Sequence, residues 1–428
     1  MNRLANSSIG KSLLTGLLVT FLLLFVKCWA EHTALCQGIQ RASYSWLQSE
    51  LTPPNKSSEL GIAIVDIRKL EYATVEVKGE TFPVTPRKPL MELIEAIVAQ
   101  KPAAVGIDID FSPNKFGYAD LDDPKYFRQL LELREKTGIP IFLGVNRFQN
   151  KKPELWLGSP EFASLAANID NPEDNRKMFA WTATDSSDQK GLTMSTALKN
   201  AVSPAQAPTS KTTSWLVNQV TEGHTKRGLA AGEILVDFSV LDALRDNRLT
   251  TINPMVVKDQ GRTLAGKIVL IGDGSLYEPQ DNAIVPLLTE RSAVPGIYLH
   301  ACATYTLIKA PLYELTGLAR LLADFTLALV ILLSVTSARI YMQNRSERFA
   351  EKRATYFFLF VVTVVATLLG IVFLPHIRVM WDDFLFVIVA LWIHPAVDGT
   401  LWQALSTLKT KIPSLMRALF GQETELGG

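Results

Sequence analysis

The stretch that decides the fold runs from Ala103 to Phe111 and reads Ala-Ala-Val-Gly-Ile-Asp-Ile-Asp-Phe. Its apolar run is interrupted only by Gly106, and two acids, Asp108 and Asp110, follow at its end. A short apolar run of this kind indicates a buried strand whose carboxyl end opens toward solvent. Two other stretches have the same pattern, namely Leu60–Val65 closed by Asp66 and Lys267–Gly272 closed by Asp273.

Strand and helix signals alternate around these runs. The spacing of apolar residues predicts helices from Pro86 to Gln100 and from about Pro124 to Thr137, each followed directly by a strand. This alternation implies right-handed crossovers and a parallel sheet. We therefore predict an α/β domain with a mostly parallel central sheet over residues 59–315. Within it, residues 146–227 are rich in polar residues and predict an elaborated insertion of short elements and loops.

The composition indicates an integral membrane protein with a large polar domain. Hydrophobic residues make up 48% of the 428 residues. The net charge of +1 gives no basis for nucleic-acid binding. Four apolar segments predict membrane-spanning helices, namely Leu13–Val26, Leu318–Ser337, Phe357–Leu374 and the weaker Phe384–Val397. The first segment has a cleaved signal peptide as its competing interpretation, but Lys27 and Trp29 favour an uncleaved anchor.

Positive charge sets the predicted topology. Arginines and lysines accumulate between residues 339 and 353, so the positive-inside rule puts this loop in the cytoplasm and the main domain outside. The predicted divisions are an anchor at 1–30, a stalk at 31–58, the domain at 59–315, three spans at 316–398 and a tail at 399–428. The amphipathic tail predicts a helix on the inner membrane surface or a docking helix for a partner.

Three blocks of the domain are similar to the type-2 CHASE sensor domain, an extracytoplasmic module of bacterial receptors. They are Gly61–Asp66; Phe82–Arg87 with Pro102–Phe111; and Gly266–Gly272 with Asp281, Pro286, Pro295-Gly296 and His300-Ala301. The resemblance covers about residues 60–312 and implies one N-terminal and three C-terminal spans. Relatives usually continue into a cyclase or kinase domain, and the tail of about thirty residues is too short for one.

The candidate ligand-binding residues are four acids, three of which follow predicted strands, together with two basic side chains: Asp66, Arg87, Asp108, Asp110, Asp281 and His300. Ligands of open parallel sheets bind outside the carboxyl ends of the strands. Converging carboxylates there would bind a divalent cation or a cationic or hydroxylated ligand, and would raise one another's pKa. The structural interpretation is that the acids cap helices or pair with Arg87, and that His300 is a core histidine.

Other chemistry has weaker support. The spacing of the three cysteines is not that of metal ligands. Cys36 and Cys302 both lie outside the membrane in the predicted topology. One interpretation is a disulfide that joins the stalk to the base of the domain, and the other is two unpaired residues. Gly272–Ser275 lacks the full glycine fingerprint and the lysine of a phosphate loop, and no nucleophile-elbow pattern surrounds Ser275. No cofactor follows from the sequence.

The leading functional prediction is therefore a non-enzymatic receptor subunit of the bacterial inner membrane. It would detect an extracytoplasmic signal and relay it through its spans to a separate signalling or membrane-complex protein, with the lipid bilayer as its surroundings. The alternatives are a structural subunit of a membrane complex and, with less support, an aspartate- and metal-dependent hydrolase. The oligomeric state is left open, a homo-oligomer included.

Overall fold

The computed structural model describes most of the central domain and little of the predicted spans. The described residues are 21, 25, 33–51, 60–68, 70, 73–77, 79–112, 120, 122–146, 162–169, 172, 174, 176–184, 187–203, 216–224, 230–246, 248–250, 257, 264–275, 282–284, 293–327, 329–330, 361, 365 and 376–381. The chain forms two compact units. One comprises residues 44–316 with 375–380, and the other comprises 1–43, 317–374 and 381–428.

A six-stranded sheet lies at the centre of the larger unit, and all of its neighbouring strands pair in parallel. In spatial order the strands are β12 (Leu249–Thr250), β1 (Ile62–Asp66), β13 (Ile268–Gly272), β4 (Ala104–Asp108), β5 (Ile141–Val145) and β6 (Ala166–Asn168). The predicted α/β fold with a parallel central sheet is thus confirmed.

Helices cover both faces of this sheet. The described helices include α1 (Ala34–Ser49), α2 (Arg87–Val98), α3 (Asp123–Thr137), α4 (Met194–Val202), α5 (Leu241–Asp246) and α6 (Gly296–Ile308). Apolar residues of α2 and α3 form one core with Val105, Ile107 and Leu143 of the strands. Helices α4 and α6 pack on the opposite face. Because both faces are covered, all five residues of β1 and of β13 are buried.

Gly106 allows α4 to lie close to β4. A Cβ atom at this position would lie 2.8 Å from the sulfur of Met194 and 3.0 Å from Cδ1 of Leu198. The interruption of the apolar run in the deciding stretch therefore has a packing cause, since a larger residue would push α4 away from the sheet.

The predicted insertion contains more regular structure than its polar composition suggested. A four-stranded antiparallel sheet has the order β10 (Thr221–His224), β11 (Ala230–Leu235), β7 (Lys177–Thr184) and β8 (Ser187–Leu192). Helix α4, which packs on the central sheet, also lies between residues 146 and 227. Residues 147–161 and 204–215 of this region lie outside the described part.

Three small pairings complete the described strands. One is the antiparallel ribbon of β2 (Ala73–Val77) and β3 (Glu80–Val84), with Gly79 between them at a φ of 81°. The others are β14 (Asn282–Ile284) with β15 (Ala293–Pro295), and β16 (Tyr313–Leu315) between β9 (Val217–Asn218) and β17 (Val379–Met380).

The predicted stalk is a helix whose second half is docked rather than free. Tyr44 and Leu47 of α1 are fully buried, and Leu51, just beyond it, is 5% exposed. The Tyr44 hydroxyl donates to the carbonyl oxygen of Val236, and Gln48 bonds the same carbonyl at 3.1 Å. This end of α1 therefore belongs to the domain.

None of the helices within the described residues is sufficiently long and apolar to span a bilayer. The predicted spans at 13–26, 357–374 and 384–397 lie outside the described residues apart from positions 21, 25, 361 and 365. The span at 318–337 is described as far as residue 330, with residue 328 omitted, and residues 317–327 are helical.

Candidate functional site

The strand ends that carry acids are neighbours in the sheet. Asp66 of β1 is in register with Gly272 of β13, which in turn is in register with Asp108 of β4. Asp273 follows directly after β13. The structure therefore brings these three strand ends to one edge of the sheet, as the sequence pattern predicted.

Asp66 is fully buried and forms internal contacts. Its carboxylate accepts hydrogen bonds from Nε of Arg68 at 2.7 Å and from the backbone N–H of Gly274 at 3.1 Å, and it forms an ion pair with Nη2 of Arg68. The same guanidinium donates to the carbonyl oxygen of Gly274 at 2.9 Å. Asp66 thus joins the end of β1 to the loop after β13, and the Gly274 amide is not free for a phosphate group.

Asp108 faces His300 near the start of α6. The His300 Nε2 atom lies 3.7 Å from the Asp108 Oδ1 atom, and the two side chains are 1% and 7% exposed. Burial raises the pKa of the Asp108 carboxyl to about 7, because desolvation disfavours its charged form. The Asp108 carboxyl can therefore exchange its proton near neutral pH.

Asp110 is exposed and lies beyond the end of β4. Its Oδ1 atom accepts hydrogen bonds from the backbone N–H groups of Ser112 at 2.8 Å and Asn146 at 3.2 Å. It therefore ties the loops after β4 and β5 together. Because β4 ends at Asp108, Asp110 belongs to the loop that follows the strand.

Arg87 joins a different cluster on the other face of the sheet. Its Nε atom donates to Asp123 at 2.6 Å, its Nη1 atom donates to the carbonyl oxygen of Thr85 at 2.8 Å, and its Cζ atom lies 4.6 Å from the ring centroid of Phe111. Arg87 is 7% exposed and Asp123 is fully buried. Burial raises the pKa of Asp123, and the hydrogen bond from Arg87 opposes this shift. These contacts favour the structural interpretation of Arg87.

The remaining candidates divide between a free thiol and residues outside the described part. Cys302 is a free cysteine buried in α6, so the structure does not support the predicted bridge to Cys36, whose side chain is not described. Burial raises the pKa of the Cys302 thiol. Asp281 lies outside the described residues. Across the described part of the chain, no three or more His, Cys, Asp and Glu side chains group as metal ligands.

Sequence reasoning missed the partners that neutralise the acids. Arg68 lies two residues after Asp66, and this spacing after a strand end could have suggested a local ion pair. Asp123 begins α3, one residue before the helix start that the apolar spacing predicts. Its pairing with Arg87, thirty-six residues away, depends on how α2 and α3 pack and has no signal in one sequence.

The larger unit is thus an α/β domain with a parallel central sheet and a buried pair, Asp108 and His300, at the carboxyl edge of that sheet. The family model of the CHASE2 domain matches residues 15–338, so the chain belongs to the CHASE2 domain family. The match extends beyond residues 60–312, over which the sequence blocks were similar, into the first two predicted spans. No curated protein and no solved structure was found to match the chain.

Replacing Arg87 by Met should lower the free energy of unfolding by about 3–5 kcal/mol, since it leaves the Asp123 carboxylate buried without its partner. Thermal or denaturant unfolding of the purified protein in detergent measures this loss. Lys88→Met, at the exposed neighbouring position of α2, is the matched control and should change stability little. An unchanged stability for Arg87→Met would return Arg87 to the list of ligand-binding candidates.

Replacing Asp108 by Asn should flatten the dependence of stability on pH. Between about pH 3.8 and pH 7, this carboxyl keeps its proton in the folded protein but has lost it in the unfolded chain. The free energy of unfolding of the wild type should therefore fall as pH rises through this window. The loss is up to about 4 kcal/mol, at about 1.4 kcal/mol for each unit of pKa. Unfolding curves at several pH values measure both slopes, and equal slopes would contradict the assignment.

Proposed function

We propose that this protein is a sensory receptor subunit of the bacterial inner membrane, which detects a signal outside the cytoplasm and relays it to a separate protein. Its membership of a sensor-domain family supports the sensory role. The observation that carries the proposal is the buried pair of Asp108 and His300 at the carboxyl edge of the sheet. Ligands of open α/β sheets bind outside this edge.

The pair has the properties of an input site. Because burial raises the pKa of the Asp108 carboxyl to about 7, this group can keep its proton and donate a hydrogen bond near neutral pH, or lose it and accept one. By contrast, Asp66 is held by Arg68 and Gly274, and Asp110 holds two loops. Of the described acids at this edge, Asp108 is thus the best suited to respond to a bound molecule or a proton.

Exposed apolar side chains support the membrane anchoring. Twelve large apolar residues are exposed among the described part of the chain, and eight of them fall in three of the segments whose sequence predicts spans. These are Phe21, Phe25, Leu318, Leu321, Leu322, Val330, Val361 and Val365. Because so many exposed apolar residues are unfavourable in water, a lipid environment accounts for them best.

The short segment between the last two predicted spans supports the orientation. Residues 375–380 belong to the same compact unit as residues 44–316. This association fits a topology in which the segment and the domain lie on the same side of the membrane. The predicted topology puts both outside and leaves the basic residues between 339 and 353 inside.

Single-cysteine labelling tests this orientation in cells. In a background without native cysteines, Glu92→Cys, at an exposed position of α2, should react with a membrane-impermeant maleimide on intact cells. Ser346→Cys, in the basic loop, should react only after permeabilisation, because that loop is expected in the cytoplasm. The reverse labelling pattern would overturn the orientation.

Affinity capture from the native membrane tests the relay to a partner. The full-length protein should recover a kinase, a cyclase or another regulator, whereas a version lacking residues 400–428 should lose it if the tail is the docking helix. The matched control is the wild type captured under the same conditions. Recovery of large assembly or transport components independent of the tail would favour the structural-subunit alternative instead.

A further inference from the structure

Helix α6 connects the two edges of the central sheet. His300, near its start, faces Asp108 at the carboxyl end of β4. Lys309 follows the end of the helix directly. Its Cε atom lies 3.8 Å from the position that a Cβ atom on Gly61 would occupy, and Gly61 precedes β1. The helix therefore runs antiparallel to the strands, from the edge that carries the candidate site to the opposite edge.

The far end of this helix contacts the backbone of Asp237, a residue whose side chain is buried. The hydroxyl of Thr306 in α6 accepts a hydrogen bond from the backbone N–H of Asp237 at 2.8 Å. The Asp237 side chain is 1% exposed and accepts hydrogen bonds from the backbone and the hydroxyl of Ser239 at 2.9 and 2.6 Å. From His300 to Thr306 the helix rises about 9 Å.

Arg378 reaches the same carboxylate from the segment between the last two predicted spans. Its Nη2 atom forms an ion pair with Asp237 and donates to the carbonyl oxygen of Ala310 at 2.8 Å, and its Nε atom donates to that of Pro311 at 3.3 Å. Both carbonyls follow the end of α6, where a cation is favourable. The backbone N–H of Tyr313 donates to the carbonyl oxygen of Arg378 at 3.0 Å, where β16 and β17 begin to pair.

The helix that follows the first predicted span meets this place too. Gln48 of α1 donates to the carbonyl oxygen of Val236 at 3.1 Å and accepts a hydrogen bond from the backbone N–H of Phe238 at 2.9 Å. Residues 236–238 thus hold α1, α6 and Arg378 together. We name the contacts of Asp237 with Thr306 and Arg378, and those of Gln48 with residues 236–238, the base junction.

We propose that α6 couples the Asp108–His300 pair to the base junction, so that a change at the pair alters how tightly Arg378 and its segment are held. This inference rests on the proposed function, because it supplies the route from the input site to the chain segments that lead into the predicted spans. The geometry supports it: one helix contacts both places, and eleven of its thirteen residues are buried. A helix packed in this way moves as a body, together with its neighbours.

The base junction is suited to a two-state response. Arg378 has a φ of 56°, a left-handed conformation that is uncommon for a residue with a side chain and that surrounding contacts must hold. Its guanidinium bonds three oxygens of different residues at once, so a small displacement of α6 would disturb all three bonds together. Loss of these contacts would release residues 376–381 from β16.

Hydrogen exchange measured by mass spectrometry on the full-length protein in phospholipid nanodiscs tests this coupling. The reporters are peptides covering residues 376–381 and 311–316. Arg378→Met, which removes the guanidinium contacts directly, should raise exchange in these peptides by about tenfold or more. Asp108→Asn and His300→Gln should each change it by about two- to thirtyfold, the range of ordinary coupling between distant sites.

Asp123→Asn is the matched control, because it also alters a buried carboxylate but lies in α3 on the opposite face of the sheet. It should leave exchange in the two reporter peptides at the wild-type value. The proposal is overturned if both His300→Gln and Asp108→Asn leave the reporters unchanged, if Arg378→Met has no effect, or if the control changes them equally. His300→Gln alone decides the outcome if Asp108→Asn does not fold. The measurement needs no partner, so its failure is distinguishable from an empty capture.

Discussion

The parallel pairing of β1, β13 and β4 is the constraint on which the rest of this structure depends. These strands are almost entirely buried, so polar side chains are tolerated only where the strands end. Their register aligns Asp66, Gly272 and Asp108 in one row. A shift of one residue in β4 would turn Asp108 away from α6 and bury its charge among the apolar residues of α2 and α3. The packing that stabilises the domain therefore also fixes the position of the candidate site.

Three acids that look alike in the sequence acquire different roles from what packs against them. Asp66 has a cation and a backbone amide as partners, and Asp110 bonds two amides in an exposed loop. Asp108 is buried next to an imidazole at 3.7 Å, and burial is the cause of its raised pKa. The mutual repulsion of clustered carboxylates, which the sequence led us to expect, is not that cause. The environment of a single side chain decides whether its protonation can respond to its surroundings.

Most of the fold was predictable because its signals are local. Four strands of the central sheet, β1, β4, β5 and β13, follow from short apolar runs, and α2 and α3 follow from apolar spacing and from Pro and Gly at their ends. The edge strands β6 and β12 were not predicted, because two or three residues are too few for such a signal. The convergence of the strand ends was also predictable. The ion pairs of Arg87 with Asp123 and of Arg378 with Asp237 were not, because each joins residues that are distant along the chain. In one sequence nothing distinguishes these carboxylates from solvated ones. Only packing decides which acid each arginine reaches.

The same reasoning explains why the opposite ends of α6 differ in chemistry. At its start, burial raises the pKa of the Asp108 carboxyl to about 7, next to the imidazole of His300. At its end, Asp237 forms an ion pair with Arg378, whose guanidinium stays charged at any physiological pH. A contact that can change state thus lies at the edge where ligands of such sheets bind, and a permanently charged contact holds the chain near the predicted spans. Because the permanent contact is buried and geometrically demanding, it responds to displacement of the helix rather than to proton concentration. In the receptor that we propose, detection of the signal would thus belong to one end of α6 and its transmission to the other.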